Sequence, residues 1–220
     1  MKNIEHITDL CVIGGGMAGI CTAISAARHG IKVVLVQDRG VLGGNASSEI
    51  RMWICGAHGK DNRETGIIEE IMLENFFQNP QLSYSLWDMV LFDKTARQDN
   101  LTLLLNTSCL DANTENGKII SITAWQSPCE TVHTIKARYF ADCSGDSILS
   151  TLTGAHFRYG REAESEFGES IEPKTADKKT MGMSCLFQVR ETDKPQKFTP
   201  PEWAYKYCTD DDIPFREHDL

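Results

Sequence analysis

A short apolar run followed at once by three glycines constrains this fold more than any other feature of the sequence. Residues 9–13 (DLCVI) have the length and composition of a buried strand, and the glycines at 14–16 allow a tight turn behind it. Residues 17–29 carry small side chains at three- and four-residue spacing, which predicts a helix, and Gly30 ends it. The apolar run 31–36 predicts a second strand. Strand, helix and strand within about 30 residues make a βαβ unit, so we expect an α/β fold with a doubly wound, mostly parallel sheet.

The glycines match the pattern Gly-x-Gly-x-x-Gly in the context that gives the pattern its meaning, between a strand and a helix. Gly14 permits a sharp turn, Gly16 lets the backbone approach a diphosphate, and Gly19 lets the helix lie close to the sheet. The free N–H groups and the positive end of the helix would face the phosphate charges. The alternative is a glycine turn that binds nothing. The expected diphosphate site comprises Gly14, Gly15, Gly16, Met17, Ala18 and Gly19.

The second strand ends in an uncommon set of side chains for a dinucleotide site. Such a site normally has an acidic residue about 20 residues after the glycines, where it binds the ribose hydroxyls. Here that position is Gln37, followed by Asp38 and Arg39. A glutamine can donate to and accept from a diol, but it carries no charge that would repel a 2′-phosphate. We therefore expect Gln37 or Asp38 at an adenosine ribose.

A second glycine pair, Gly43–Gly44, follows directly. A nicotinamide dehydrogenase does not require it, but it suits a longer dinucleotide whose ribityl chain runs past this loop, which points to FAD. The whole run 9–53 resembles the FAD-dependent oxidoreductase family of bacterial flavoproteins, within the glutathione-reductase-like group. Residues 140–146 (FADCSGD) are similar to the Asp-Cys-Thr-Gly-Asp segment of that family, and residues 160–162 and 166–169 resemble its downstream pattern.

The resemblance implies a particular domain organisation. The FAD-binding domain would be discontinuous, formed by residues 1–54 and 99–155, with a helical insertion at 55–98. Its Rossmann-like sheet would carry an antiparallel β-meander at about 107–136. Residues 156–220 would begin a substrate or cap region, and the chain would be an N-terminal fragment of a longer protein.

Hydrophobic periodicity predicts the remaining elements. Apolar stripes indicate helices at 66–79 and 84–98, and an apolar run indicates a strand at 101–105. The last meander strand is expected at 130–136, and a separate strand at 137–143 is expected to lead into the Gly-Asp segment.

Carried over to this chain, the family pattern assigns roles to further residues. Residues 43–47 would hold the ribityl and flavin-proximal part of FAD, and backbone near Cys109 and Leu110 would meet the adenine. Gly145 and Asp146 would close over the dinucleotide from the other side, although Asp146 fits equally well as the N-cap of the helix that follows. These further cofactor contacts are Gln37, Asp38, Arg39, Gly43, Gly44, Asn45, Ala46, Ser47, Cys109, Leu110, Gly145 and Asp146.

Three residues just after this loop are candidates for catalysis. Arg51 could anchor an anionic substrate, Cys55 could be redox-active, and His58 could act as a general base or a covalent flavin tether. Each has a structural alternative: an ion pair between Arg51 and Glu49, a buried thiol, and a loop histidine bonded to backbone. Because a flavin performs the electron chemistry itself, the protein chiefly has to place the substrate.

Charge and composition argue against several other classes. The formal net charge is −9, with 22 Lys+Arg against 31 Asp+Glu, and the basic residues form no stripe that could follow nucleic-acid phosphates. No apolar run approaches the roughly 20 residues of a membrane span, and the N-terminus lacks the pattern of a signal peptide, so we expect a cytoplasmic protein. The eight cysteines include no Cys-x-x-Cys pair, so we expect buried thiols and no metal site.

These observations together predict an enzyme. We expect an FAD-dependent oxidoreductase that transfers a hydride between a small organic substrate and the flavin. The 220 residues would form the N-terminal part of this enzyme, and activity is not expected of them alone. Two alternatives use the same fold: an NAD(P)-binding dehydrogenase, and a nucleotide-binding module without catalysis.

Overall fold

The structure is a computed structural model, and it describes residues 2–57, 60, 62–181 and 189–212. The described strands form a six-stranded sheet in the order β3-β2-β1-β6-β5-β4. The strands are β1 (Lys2–Ile13), β2 (Val33–Val36), β3 (Leu101–Leu104), β4 (Thr107–Glu115), β5 (Lys118–Gln126) and β6 (Thr131–Asp142). The helices are α1 (Met17–Arg28), α2 (Gly66–Gln78), α3 (Tyr84–Ala96), α4 (Ile148–Thr153) and α5 (Glu164–Phe167). Short 3₁₀ turns lie at Gly44–Ala46, Ser127–Cys129 and Asp210–Asp212.

The sheet combines a parallel core with an antiparallel meander, which confirms the expected α/β class. Strands β3, β2, β1 and β6 are parallel neighbours, and β4, β5 and β6 pair in antiparallel fashion. In the core, Cys11 of β1 stands opposite Val34 of β2 and Phe140 of β6. The predicted helices at 66–79 and 84–98 end within two residues of α2 and α3.

Strand β6 corrects the prediction of two strands at 130–136 and 137–143. It is one strand of 12 residues that uses both of its edges. One edge pairs with β5 at residues 131–136, and the other pairs with β1 along most of its length. No turn residue interrupts this segment, so the third meander strand continues into the parallel core. The same pairing starts β1 at Lys2 rather than at Asp9, because β6 supplies backbone partners for the polar N-terminal residues.

The centre of the parallel core, at residues 11–13 and 33–36, is buried on both faces, as parallel sheets generally are. Because side chains alternate along a strand, Val12 and Leu35 point to the face covered by α1, while Cys11 and Val34 point to the other. On the α1 face, Ile20 and Ile24 meet residues of α2 and α3 such as Ile71 and Leu91. On the opposite face, the meander and α4 cover the strands with Ile122, Ile135 and Leu149. This double burial fixes the strand ends that form the site.

The chain separates into two compact units, Met1–Gly182 and Met183–Leu220. The first contains the sheet and all five helices named above. In the second, Tyr205 and Tyr207 have ring centroids 5.0 Å apart, and the backbone N–H groups of Cys208 and Thr209 donate to the Asp212 carboxylate. The predicted division into a discontinuous FAD-binding domain, an insertion and a cap region stays a prediction. Among the described helices, none is both long enough and apolar enough to cross a membrane.

Candidate functional site

A cleft of about 710 Å³ opens at the carboxyl ends of β1, β2 and β6. The chain leaves β1 towards β2 on one side, while β6 lies on the other, so this is the switch point where ligands of open α/β sheets bind. The lining residues come from six segments, near positions 13–17, 36–39, 43–46, 52–54, 107–109 and 143–148. We call this space the cleft.

Gly14 and Gly16, which line the cleft, and Gly19, which lies behind them, have three different physical reasons to be glycine. Gly14 has φ of +101°, and a Cβ there would lie 2.3 Å from the carbonyl oxygen of Cys143. A Cβ at Gly19 would lie 1.8 Å from the carbonyl oxygen of Gly14, so α1 can approach the turn only without a side chain. At Gly16, in contrast, a Cβ would meet nothing within 4 Å. The space beside Gly16 is therefore open cleft, close to the backbone.

The N-terminus of α1 is electropositive where it faces the cleft. Gly16 is the N-cap residue, so no side chain bonds the first N–H groups, and the first turn contains no acidic residue. A diphosphate fits such a helix end, because it satisfies backbone donors and opposes the positive pole. Of the six residues predicted here, Gly14, Gly16 and Met17 line the cleft, whereas Gly15, Ala18 and Gly19 do not.

The side chain of Gln37 is committed to the protein itself. It is buried, its Oε1 accepts a hydrogen bond of 2.7 Å from the N–H of Gly15, and its Nε2 donates to the carbonyl oxygen of Val41 at 3.0 Å. This use was not foreseen, since the sequence suggested an amide turned towards a ribose. Asp38 is exposed and lines the cleft, and its expected contact with ribose hydroxyls stays a prediction.

The second glycine pair packs directly on the first. The N–H of Gly43 donates to the carbonyl oxygen of Gly15 at 2.8 Å, and a Cβ on Gly44 would lie 3.2 Å from the Cα of Gly16. Gly43, Gly44, Asn45 and Ala46 line the cleft. Ser47 does not: it is buried, and its hydroxyl donates to the Gly44 carbonyl at 2.7 Å, so it holds the turn.

Helix α3 holds the loop after the second glycine pair. The indole Nε1 of Trp87 donates to the carbonyl oxygen of Ala46 at 2.7 Å. The carboxylate of Asp88 accepts from the N–H of Ser48 at 2.9 Å. The helical segment expected as an insertion thus positions one wall of the cleft, although sequence spacing alone, about 40 residues between partners, carries no signal of these contacts.

The meander forms a further wall of the cleft. Cys109 lines the cleft, as do Thr107 and Ser108, which the sequence analysis did not single out. Leu110 was expected there but is not among the lining residues. Leu110 lies at a register irregularity of β4 between Cys109 and Asp111, and its side chain is exposed outside the cleft. Burial raises the pKa of Cys109 to about 11, which keeps it a thiol at neutral pH.

Gly145 and Asp146 line the opposite side of the cleft. The expected alternative role of Asp146 as an N-cap is wrong, because α4 begins after Ser147. The first backbone N–H groups of α4 instead bond to side chains that precede Asp146 in the chain. Ile148 donates to the hydroxyl of Ser144 at 3.2 Å, and Leu149 donates to the carboxylate of Asp142 at 2.8 Å. Asp146 is thereby left at the cleft surface without a capping task.

Two of the three predicted catalytic residues, Arg51 and Cys55, are described by the structure, and neither lines the cleft. Arg51 is exposed, its Nε donates to the carbonyl oxygen of Ser48, and its guanidinium lies 5.3 Å over the Tyr84 ring. The expected pair between Arg51 and Glu49 is wrong, since Arg39 pairs with Glu49 at 3.1 Å. Cys55 is exposed rather than buried and does not line the cleft.

His58 lies outside the described residues. The residues of this segment that do line the cleft are apolar: Met52, Trp53 and Ile54. The sequence analysis passed over them because it searched for polar catalytic groups.

Two solved structures are similar to this chain at low sequence identity. The Thermovibrio ammonificans THI4 structure superposes with a TM-score of 0.47 at 16% identity, over 77% of this chain and 76% of that one. The myxobacterial chondrochloren halogenase CndH gives a TM-score of 0.46 at 16% identity, over 71% of this chain and 41% of that one.

Curated relatives match over part of the chain. Glycerol-3-phosphate dehydrogenase of Mycobacterium leprae is 36% identical over 66 residues, 30% of this chain. Glutathione reductase of Schizosaccharomyces pombe is 48% identical over 44 residues, 20% of this chain. The matched parts span 11% and 10% of the two relatives' own lengths.

The family model described as FAD dependent oxidoreductase matches residues 9–219, nearly the whole chain. FAD is the cofactor of that family, and the diphosphate position beside Gly16 fits it on geometric grounds alone. The chain therefore belongs to the FAD dependent oxidoreductase family.

Proposed function

We propose that this chain binds FAD in the cleft and contributes to an enzyme that transfers a hydride between a small organic substrate and the flavin. The observation that supports it most is the open position beside Gly16, at the uncapped N-terminus of α1. Backbone atoms of the protein fill the equivalent space at Gly14 and Gly19, whereas at Gly16 no protein atom lies within 4 Å of a Cβ position and the space is open to a ligand.

The lining residues suggest which part of the cleft each part of FAD would contact. The diphosphate would lie against Gly14, Gly16 and Met17, and the adenosine towards Asp38 and Cys109. The ribityl chain and the flavin would follow the other lining segments, 43–46 and 52–54, with Gly145 and Asp146 on the opposite side.

Bound flavin would supply the hydride chemistry, so the protein's residues have to bind, orient and shield. Segment 52–54 presents three apolar side chains to its side of the cleft. Arg51 and Cys55 lie beyond the lining, and their catalytic roles stay predictions.

The visible spectrum of the freshly purified protein tests this proposal. We expect flavin absorption bands that bleach with dithionite, and FAD in the supernatant after denaturation. Colourless protein that binds a nicotinamide dinucleotide instead would overturn the proposal in favour of the NAD(P)-dependent alternative. Turnover has to be tested in the full-length protein, where bound FAD without activity on any small organic substrate would favour a non-catalytic module. We retain the cytoplasmic location as a prediction from the sequence.

A further inference from the structure

A second, smaller cavity lies beside the cleft and shares part of its wall. Its volume is about 250 Å³, and it is formed between the loop after the second glycine pair, the end of α2 and the start of α3. Ala46, Met52, Trp53 and Ile54 line both spaces. We call the smaller space the side pocket. A molecule held in it would therefore reach the segment that we propose to lie along the flavin end of the cleft.

The walls of the side pocket are aromatic and apolar. Four aromatic side chains contribute, Trp53, Phe76, Tyr84 and Trp87, together with Met52 and Met72. Trp53 is 72% exposed and Phe76 is 60% exposed, so large apolar surfaces stand at the rim. Exposed apolar surface gathered around a concavity marks a ligand site more often than scattered apolar residues do.

The polar groups at the side pocket already have partners within the protein. The indole N–H of Trp87 donates to Ala46, and the hydroxyl of Tyr84 donates to the carbonyl oxygen of Arg51 at 3.2 Å. The buried amide of Asn79 bonds to Asn75 and to the backbone of Ser83. None of the described lining residues is acidic or basic. An ionised ligand would lose its hydration there without gaining a counter-charge from the lining.

The volume restricts the size of the occupant. An apolar cavity of about 150 Å³ is enough for benzene, and pockets for drug-sized ligands start at about 300 Å³. A side pocket of about 250 Å³ matches a single six-membered ring with a short substituent. Flat rings also suit the faces of tryptophan, tyrosine and phenylalanine, which favour stacked or edge-to-face contacts.

We propose that the side pocket binds a neutral, single-ring aromatic molecule and that this is the substrate class of the adjoining cleft. The assignment to a substrate rests on the proposed FAD-dependent function, whereas the assignment of the pocket's ligand rests on its walls alone. The ring would be held by Trp53, Tyr84 and Trp87, and its substituent would point past segment 52–54 into the cleft.

Two matched probes test the ligand class: benzyl alcohol, which is neutral, and benzoate, which has the same ring and a negative charge. The chain has four tryptophans, so a ¹H–¹⁵N spectrum of the indole N–H groups reads out both side-pocket tryptophans and two others. We expect saturable shifts of the Trp53 and Trp87 signals with benzyl alcohol, while Trp125 and Trp203 stay unchanged. With benzoate we expect no saturable shift.

Equal binding of benzoate would overturn the neutral ligand class and would point to attraction by Arg51, which lies over Tyr84 at the rim. Shifts of all four signals in proportion, without saturation, would overturn the pocket as a binding site.

Matched variants locate the binding. Met72→Trp fills the side pocket, whereas Leu73→Trp adds the same side chain at the next position on α2, which is 61% exposed and lies outside the lining. We expect loss of benzyl alcohol binding in Met72→Trp and unchanged binding in Leu73→Trp. Trp53→Ala serves where Met72→Trp fails to fold, because Trp53 is largely exposed, and we expect about tenfold weaker binding. Unchanged affinity in Trp53→Ala would overturn the proposal.

FAD binding is measured on the same samples, so that failure of the side-pocket proposal can be distinguished from failure of the proposed FAD-dependent function. FAD uptake without benzyl alcohol binding would overturn the side pocket and leave the proposed function standing. Benzyl alcohol binding without affinity for FAD would overturn the substrate role and the proposed function, and would leave only the ring site.

Discussion

The backbone N–H of Gly15 donates a hydrogen bond of 2.7 Å to Oε1 of Gln37, a buried side chain at the end of the neighbouring strand. The other end of the same amide donates to the carbonyl oxygen of Val41. Gln37 therefore joins the glycine turn to the loop that precedes the second glycine pair. An acceptor alone could satisfy Gly15, but only a side chain that also donates can hold both segments.

Replacing Gln37 tests this connection. Gln37→Leu leaves the Gly15 N–H and the Val41 carbonyl without their partner in a buried place, and each such loss costs about 1–3 kcal/mol. Gln37→Glu keeps an acceptor for Gly15 but, when ionised, has no donor for Val41. We expect the free energy of unfolding in urea to fall in the order wild type, Gln37→Glu, Gln37→Leu, and the affinity for FAD to follow it. A Gln37→Leu protein as stable as the wild type would contradict the structural role.

Gly16 and Gly14 should separate cofactor binding from folding. The backbone of Gly16 is extended, with φ of −67°, and a side chain there meets no protein atom. Gly16→Val should therefore keep its thermal midpoint and circular dichroism while losing at least about tenfold in affinity for FAD, because the side chain takes the space of the diphosphate. Isothermal titration with FAD measures the affinity.

Gly14→Ala is the contrasting variant. Its Cβ would overlap the Cys143 carbonyl in a backbone conformation that alanine rarely adopts, so we expect more than about 1 kcal/mol of lost stability. If Gly16→Val bound FAD as tightly as the wild type, the diphosphate would have to lie elsewhere and the proposed cofactor site would be wrong.

Local sequence patterns were sufficient for the centre of this fold. The βαβ unit shows in three short apolar or small-residue runs, and the reasons for Gly14, Gly16 and Gly19 follow from turn and helix geometry. Leu110, in contrast, lies outside the cleft at a register irregularity of β4 between Cys109 and Asp111, which such patterns do not indicate.

Contacts between distant residues were beyond such patterns. Nothing near Trp87 indicates that its indole bonds to Ala46, and nothing near Asp142 indicates that its carboxylate bonds to the first turn of α4. The last meander strand, β6, likewise extends into the parallel core because β1 pairs with its second edge. Each of these features arises only when two separate segments meet.

Trp87→Phe tests whether α3 positions the cofactor loop. Phenylalanine keeps most of the apolar contact but lacks the N–H that donates to Ala46, a bond worth about 0.5–1.5 kcal/mol net. We expect FAD affinity to fall roughly threefold to tenfold, since part of this energy holds the loop in its binding conformation. Trp203→Phe, which makes the same change at an exposed residue of the second compact unit, should leave the affinity unchanged. Equal effects of the two substitutions would contradict a specific role for Trp87.

Glu70 should make the packing of the helices dependent on pH. It lies on α2, where the Arg28 guanidinium of α1 donates to both of its oxygens at 2.7 and 2.9 Å and Lys94 of α3 donates at 2.9 Å. The hydrogen bonds from Arg28 and then Lys94 lower the pKa of Glu70 from 4.5 to about 2. A lowered pKa in the folded state means that this stabilisation is complete above about pH 4.5 and is lost as the pH falls towards 2.

Urea midpoints of the wild type and Glu70→Gln measure this effect. We expect the wild type to be more stable at about pH 6 and the difference to shrink by about pH 3, because Glu70 is then protonated in the unfolded state, although it keeps most of its charge in the folded state until the pH approaches 2. Added salt should shrink it as well, since these groups are partly exposed. Glu69→Gln removes the same formal charge one position earlier, where the carboxylate pairs with Arg63 rather than with α1 or α3. It should show no comparable change, and a difference for Glu70→Gln that persists undiminished at about pH 3 would show that the carboxylate's charge does not hold the three helices together.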